Sequence, residues 1–282
     1  MIDLHSHSIF SDGTDTPEAL ALAADAGGLT ALALTDHDTL AGLDRFMAQQ
    51  PRVAALLVPG IELSCRFMGR PLHMLGLFLR HTDPLFTERV ESMRLQRLER
   101  NQAMVRRLRD RGVAITWEEL ALEAPTDLIS RTHFARVLVR NGVAGSPEDA
   151  FRRLIGDDSP CYVPFPELRP VQAAAWIREA GGVAVVAHPG RGFPRGFRWD
   201  QAMLDLKTQG VQGLEAYYPD YGPLEQRYFL QLAEELDLAP SGGSDYHGGN
   251  KPGQKLGVGR GGLHVPDGAL GRLRDLATPA RP

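Results

Sequence analysis

The sequence is poor in the features that mark disulfide-stapled, membrane-spanning or nucleic-acid-coating proteins. Two cysteines, Cys65 and Cys161, are too few for a disulfide framework in 282 residues. No apolar run reaches the ~18–20 residues that a transmembrane helix needs, so we expect no membrane contact. Lysine and arginine number 31 against 35 acidic residues, which gives a formal net charge of −4 and no polybasic surface. The composition is otherwise that of an ordinary globular protein.

The pattern of a strand begins at the second residue. Ile2 and Leu4 alternate with Asp3 and His5, which is the period of an extended chain. Such a start leaves no room for a secretory signal peptide, so we expect a cytoplasmic protein with reduced thiols. Nothing in the sequence suggests a stable protein partner.

Apolar strands alternate with helical patterns in the first and last thirds of the chain. Apolar runs at 29–34, 53–58 and 72–78 are predicted strands, as are 183–187 and 211–218. Helical patterns separate most of them. This alternation predicts βα units, and hence a parallel sheet or barrel of the α/β class.

The rhythm changes in the middle third of the chain, where no strand pattern occurs. We predict a helical insertion at 84–166 that begins with one long helix over 84–112. The flanking segments, 1–83 and 167–282, are then two parts of one barrel. We expect the insertion to form a cap over that barrel.

Histidines and carboxylates collect on or just after the predicted strands. The side chains in such positions are His5, His7, Asp12, His37, Glu62, His73, His188, Asp245 and His247. Because α/β folds carry their sites at the carboxyl ends of the strands, we expect these groups to share one rim. Divalent ions would satisfy neutral imidazoles and carboxylates at once. Nine ligands are too many for one ion, and two or three ions bridged by a carboxylate would account for them.

Several segments resemble the successive motifs of the PHP (polymerase and histidinol phosphatase) family. They are Asp3-Leu-His-Ser-His-Ser8, Thr35-Asp-His-Asp38, Gly60-Ile-Glu62, His73, Ala187-His-Pro-Gly190 and Gly243-Ser-Asp-Tyr-His247. The resemblance includes every motif, so it is highly specific. It implies a distorted (β/α)7 barrel, the PHP fold, with a trinuclear metal site in its mouth and the helical insertion capping that site.

The resemblance also implies how the ligands are shared among three ions. One ion would be held by His5, His7, Glu62 and Asp245, a second by Asp12, His37 and His247, and a third by Glu62, His73 and His188, with Glu62 bridging. We expect the ions to be Mn²⁺, with Zn²⁺ or Fe²⁺ as alternatives.

Five further residues are candidates for contacting a substrate. Arg100, Asn101, Arg131 and His133 lie in the predicted insertion, and Arg191 directly follows the His188 motif. Arginine forks match phosphate oxygens, so we expect these residues to bind the substrate's phosphates. His133 could instead act as a catalytic acid that protonates the leaving oxygen. The alternative for all five is a solvated or structural role.

The site and the resemblance together predict a phosphoesterase. The resemblance is closest to stand-alone enzymes that remove the 3′-phosphate of nucleoside 3′,5′-bisphosphates, such as adenosine 3′,5′-bisphosphate, and leave the 5′-monophosphate. A metal-bound hydroxide would be the nucleophile. The alternatives are a 5′→3′ exonuclease of short RNA or DNA oligonucleotides, a histidinol phosphate phosphatase and a non-enzymatic metal-binding module. We find no interleaved basic and aromatic series of the kind that binds single-stranded nucleic acid. Its absence favours a small nucleotide over an oligonucleotide as the substrate.

Overall fold

Seven strands form one sheet in the order in which they occur along the chain. In the computed structural model they are β1 (Ile2–Asp3), β2 (Ala31–Leu34), β3 (Leu56–Phe67), β4 (Arg70–Leu77), β5 (Val183–Val186), β6 (Gly213–Tyr217) and β7 (Ala239–Gly242). The two edges approach each other, because the Leu4 amide donates to the Gly242 carbonyl at 3.0 Å and the His7 amide donates to the Tyr246 carbonyl at 2.8 Å. The result is a nearly closed barrel, which confirms the predicted distorted (β/α)7 fold.

The structure describes residues 1–124, 129–164, 166–194 and 196–277. It divides into two compact units. One consists of Met1–Val90 together with Glu167–Pro282, and the other of Glu91–Pro166. We call them the barrel unit and the helical unit. Among the described residues, no helix is long and apolar enough to cross a membrane.

Strand β4 runs against its neighbours, which the expectation of an all-parallel sheet did not include. β3 and β4 pair antiparallel, and β4 and β5 do the same. The reason is a two-residue turn at Met68 and Gly69, whose φ angles of 49° and 73° are those of a tight hairpin. Such a hairpin reverses the chain without a helical crossover. As a consequence His73, near the start of β4, faces the same rim as residues at the ends of the parallel strands.

Helices follow most strands of the barrel unit. They are α1 (Pro17–Ala26), α2 (Leu43–Met47), α7 (Pro170–Glu179), α8 (Trp199–Thr208), α9 (Pro223–Glu235) and α10 (Asp267–Leu276). The start of α1 shows why these segments are helical: Thr16 accepts a hydrogen bond from the Ala19 amide at 3.2 Å, and Pro17 occupies the first position. The alternating residues of β2 pack into two different apolar clusters, so this strand is buried on both faces.

The helical unit contains most of α3 (Pro84–Arg109), then α4 (Trp117–Glu123), α5 (Arg131–Arg140) and α6 (Pro147–Ala150). A π-helical turn, Phe151–Ile155, continues α6. The unit has its own apolar core, which includes Met104, Leu108, Phe134 and Leu138. Its described residues contain no strand, as the sequence indicated.

Candidate metal centre

The nine side chains predicted as metal ligands converge in the barrel unit. They fall into four overlapping groups, and within each group the potential ligand atoms lie within 4.8 Å of one another. The groups are His7, Asp12, His37 and His247; His5, His7 and Asp245; His5, Glu62 and His188; and His37, Glu62 and His73. The resemblance had placed His73 and His188 on one ion, whereas here they belong to different groups. The assignment of each residue to an ion stays a prediction.

The strand order explains this convergence. His5 and His7 follow β1, His37 follows β2, and His188 follows β5. Since β1, β2 and β3 are parallel, as are β5, β6 and β7, these histidines emerge at the carboxyl ends of their strands. Glu62 lies within β3, in a bridge with His37.

Glu62 lies at the centre of the cluster and is fully buried. Its Oε1 is 2.8 Å from His73 Nδ1 and 2.9 Å from His188 Nε2. Its Oε2 is 3.1 Å from His5 Nε2, and it is 3.2 Å from both His7 Nε2 and His37 Nδ1. The two oxygens therefore face different imidazoles, as a carboxylate that bridges two ions would.

The surroundings of His7 Nε2 indicate whether the cluster suits a metal ion. This atom is buried and makes no hydrogen bond within the described residues. Glu62 Oε2 and Asp245 Oδ1 nevertheless lie 3.2 and 3.3 Å away. Nitrogen and oxygen ligands that share one ion at about 2.0–2.2 Å are separated by roughly 3 Å. An orphaned imidazole nitrogen between two carboxylate oxygens therefore fits metal ligation better than it fits hydrogen bonding.

The charges within the cluster are those of a cation site. Burial raises the pKa of Glu62, but the neighbouring histidines outweigh it and hold that pKa well below its usual range. The pKa of Asp245 is lowered well below its usual range in the same way by His5 and His7. Burial lowers the pKa of His7, but the nearby carboxylates of Asp245, Glu62 and Asp12 raise it to about 9. The carboxylates thus stay ionised, and His7 holds a proton that a metal ion would displace.

Glu215 is a buried residue of β6 that was not among the predicted site residues. Its Oε1 lies 3.0 Å from His5 Nδ1, and its Oε2 accepts a hydrogen bond from the His188 amide at 2.7 Å. Because Glu215 takes the Nδ1 hydrogen of His5, the Nε2 of that ring is left to face Glu62. In the sequence, Glu215 opens the segment Glu215-Ala-Tyr-Tyr-Pro219, which resembles the stand-alone PHP phosphoesterases, but nothing there assigns Glu215 a role in the site.

Replacing Glu215 with glutamine should weaken metal binding without removing a ligand. The two groups that donate to this carboxylate are His5 Nδ1 and the His188 amide. The NH2 group of a glutamine side chain would face one of them with a second donor, and that hydrogen bond would be lost. We expect the apparent Mn²⁺ affinity to fall by roughly 10–100-fold, the usual effect of losing a group that orients a ligand. Titration of the metal-free protein with Mn²⁺ measures this. An unchanged affinity would show that Glu215 only fills space.

Two further buried aspartates brace the loops that carry the ligands. Asp36 accepts hydrogen bonds from the Ser8 amide at 2.7 Å and from the Ser11 hydroxyl at 2.6 Å. Asp3 accepts from the amides of Ser244 at 2.8 Å and Gly257 at 2.7 Å. Each carboxylate therefore ties together segments that are distant in the sequence.

The backbone is strained at two of the predicted ligands. His188 and Asp245 have φ angles of 26° and 51°, in a region that side-chain-bearing residues seldom adopt. Strain of this kind costs about 1–3 kcal/mol and persists where the surrounding structure imposes it. Here the Glu215 contact to the His188 amide fixes one of the two positions.

Among the candidate substrate contacts, Arg191 lies beside the cluster. Its Nη1 is 3.3 Å from Asp245 Oδ2 and 2.7 Å from the Tyr218 hydroxyl, and 48% of its side chain is exposed. Lys251 also reaches this carboxylate, since its Nζ donates to Asp245 Oδ2 at 2.6 Å. Two cations therefore adjoin one of the predicted ligands.

The other four candidates lie in the helical unit. Arg100 is buried, and Arg131 forms an ion pair with Asp157 at 2.5 Å. Asn101 is fully buried and its Nδ2 donates to the Ile129 carbonyl at 2.6 Å, so this donor is already used within the unit. His133 Nδ1 accepts from the Ser130 amide at 3.1 Å, which leaves the hydrogen of a neutral ring on Nε2. Their roles in substrate binding and acid catalysis stay predictions.

The sequence contains one interleaved basic and aromatic series, contrary to our expectation of none. Residues 191–199 are Arg-Gly-Phe-Pro-Arg-Gly-Phe-Arg-Trp, directly after the His188 motif. The rings of Phe193 and Phe197 are 4.7 Å apart, and Phe193 lies 6.4 Å from Phe67 of β3. All three rings are partly exposed. Glycine and proline interrupt the series, so its basic and aromatic residues do not alternate directly.

Comparison with known proteins agrees with this site. The sequence matches the PHP domain family over residues 3–120. It is 34% identical over 257 residues to the 3′,5′-nucleoside bisphosphate phosphatase of Chromobacterium violaceum, covering 91% of this chain and 90% of the relative. It is 34% identical over 247 residues to the 5′-3′ exoribonuclease of Haemophilus influenzae, covering 87% and 89% of the two chains.

A solved structure extends the likeness to the whole chain. It comes from Bifidobacterium adolescentis and is named as a metal-dependent phosphoesterase. The TM-score is 0.78 at 28% identity, over 99% of this chain and 97% of that one. Together with the buried cluster of imidazoles and carboxylates, these relationships show that this chain belongs to the PHP family and is a metal-dependent phosphoesterase.

Proposed function

We propose that this protein hydrolyses the 3′-phosphate of nucleoside 3′,5′-bisphosphates and releases the nucleoside 5′-monophosphate and inorganic phosphate. The observation that carries the proposal is the mostly buried cluster of nine side chains with nitrogen and oxygen ligand atoms, with Arg191 and Lys251 at its edge. A relative that is 34% identical over 91% of the chain is named for a substrate with two phosphates. The substrate of this chain is accordingly a small, strongly anionic nucleotide.

In this proposal the nine clustered side chains hold divalent ions, which we expect to be three Mn²⁺. Such ions lower the pKa of bound water and stabilise the charge that develops on phosphate oxygens. The chain's own contribution is positioning. Glu62 fixes the separation of the two halves of the cluster through its two oxygens, and Glu215 orients His5.

Arg191 supplies directional recognition in the barrel unit. A guanidinium has five N–H donors, and in Arg191 those of Nη1 donate to Asp245 and Tyr218. Nearly half of the side chain is exposed, so its remaining donors can bind a phosphate in the bidentate manner typical of arginine. A cationic edge also suits a bisphosphate better than histidinol phosphate, whose ammonium group would need an acidic partner.

Product analysis with adenosine 3′,5′-bisphosphate and Mn²⁺ tests the proposal. We expect equimolar inorganic phosphate and adenosine 5′-monophosphate, separated by chromatography against both monophosphate standards. A parallel preparation of the Glu62→Gln variant controls for contaminating phosphatases. Formation of adenosine 3′-monophosphate would mean that the two phosphates have been assigned in reverse.

A 5′→3′ exonuclease is the second candidate, and the loop after His188 favours it. Partly exposed Phe193 and Phe197, with Arg191 and Arg198 alongside, have the composition of surfaces on which bases stack while the backbone is held electrostatically. A relative of the same identity is named as an exoribonuclease. Rates on a 5′-phosphorylated trinucleotide and on adenosine 3′,5′-bisphosphate, measured under identical conditions, rank the two activities.

A further inference from the structure

The two oxygens of Asp245 have different surroundings. Oδ1 lies 3.3 Å from His7 Nε2 and 3.6 Å from His5 Nε2. Oδ2 accepts hydrogen bonds from the Tyr218 hydroxyl at 2.7 Å, from Lys251 Nζ at 2.6 Å and from Arg191 Nη1 at 3.3 Å. Only Oδ1 therefore faces the imidazoles, and Oδ2 serves as the anchor for three donors.

Tyr218 is sufficient to orient this carboxylate. Its side chain is buried, and its hydroxyl donates to Oδ2 at 2.7 Å. The ion pair between Lys251 and Oδ2 is therefore not needed to hold Asp245 in this orientation. The ammonium group lies at the edge of the cluster, where it can also attract a further anion.

The segment that carries Lys251 is held in place by the segment that carries Asp12. The Gly249 amide donates to Thr14 Oγ1 at 2.8 Å, and Asn250 Nδ2 donates to the Asp12 carbonyl at 2.8 Å. Gly248 has a φ of 61°, and a Cβ there would lie 2.0 Å from Thr14 Oγ1, so the close approach requires glycine. The position of the lysine is thus fixed before any ligand binds.

We infer that Lys251 is a substrate-binding residue that, together with Arg191, binds non-bridging oxygens of the scissile phosphate. An ammonium group has three N–H donors, and Asp245 takes one of them. The side chain is 28% exposed, so the other donors are accessible from solvent. The inference rests on the proposed function insofar as it takes the substrate to be a phosphate ester.

Binding of inorganic phosphate to the Mn²⁺-loaded protein tests this inference without turnover. We compare Lys251→Met with Lys255→Met, which removes an exposed lysine of the same loop. Calorimetry should show that phosphate binds roughly 10–100-fold more weakly to Lys251→Met, the effect of losing one charge-assisted hydrogen bond. Lys255→Met should match the wild type. Mn²⁺ content, measured on the same samples, should be the same in all three.

Lys251→Arg provides a second arm, since it keeps the charge and should recover part of the phosphate affinity. The inference is overturned if phosphate binds equally well to Lys251→Met and the wild type. It is also overturned if the Mn²⁺ content of Lys251→Met falls by the same factor as its phosphate affinity. The lysine would then affect phosphate binding only through Asp245 and the metal. The proposed function can fail separately: if the wild type binds phosphate but does not cleave the bisphosphate, only the substrate assignment is wrong.

Discussion

Replacing Glu62 with glutamine is expected to lower kcat/KM by more than about 100-fold and to release metal from more than one position in the cluster. Loss of a group that merely orients a ligand costs 10–100-fold, so loss of a bridging ligand should exceed that. The carboxylate touches five imidazoles through two oxygens. Removing its charge therefore affects every ion that those imidazoles help to hold.

Metal analysis and kinetics on the same preparation measure the two effects together. Glu234→Gln, an exposed charge removal on α9, controls for the loss of one negative charge. Glutamine preserves the volume of the side chain, so we expect the variant to fold. Circular dichroism of the variant and the wild type checks this. Full metal content in a folded Glu62→Gln protein would rule out the bridging role.

Chelation should abolish turnover, and added Mn²⁺ should bind more tightly as the pH rises. Metal ligation needs neutral imidazoles, and His7 has a pKa of about 9 in the metal-free cluster. Burial lowers the pKa of His5, but Glu215, Glu62 and Asp245 raise it well above its usual value. Below pH 9 an ion held by His5 or His7 must displace these protons, so its apparent affinity falls as pH falls, by up to about tenfold per unit for each proton displaced.

Mn²⁺ titrations of EDTA-treated protein at several pH values between 6.5 and 9 measure this dependence. The carboxylates do not contribute to it, because the pKa values of Glu62 and Asp245 are held well below their usual ranges. Nor does His37, whose pKa is lowered by burial to about 4. A flat dependence would mean that His5 and His7 lie outside the ligand set. Activity restored by Mn²⁺ in the same titration ties the metal to catalysis.

The convergence of the nine predicted ligands could be anticipated because strand ends are visible in the sequence. Each histidine of the cluster follows or lies on an apolar run, and parallel strands bring such positions together whatever their separation along the chain. The reversal of β4 was less visible, since it depends on Met68 and Gly69 adopting positive φ. His73 was nevertheless included correctly in the cluster, because the hairpin returns it to the same rim.

Some residue roles could not be predicted from the sequence because they depend on contacts between segments that are far apart in it. His5 and Glu215 are 210 residues apart, and no local pattern indicates that one orients the other. Lys251 lies six residues after Asp245, but this proximity in sequence does not reveal that its Nζ donates to Oδ2 of Asp245. The role of Asn101 in substrate binding stays a prediction, and the hydrogen bond from its amide to the Ile129 carbonyl is a contact that the sequence does not reveal.

The pairing of residues 4–7 with residues 242–246 also bears on how the protein matures. These pairs span most of the chain, so they are among the contacts of highest sequence separation and should form late in folding. At synthesis rates of about 5–20 residues per second, the ribosome needs roughly 10–50 s between making His7 and making Tyr246. During that interval His5 and His7, which follow β1, lack their native neighbours from residues 242–246. Metal binding should therefore follow closure of the barrel. A chain that holds its metal ions would then be one whose barrel has already closed.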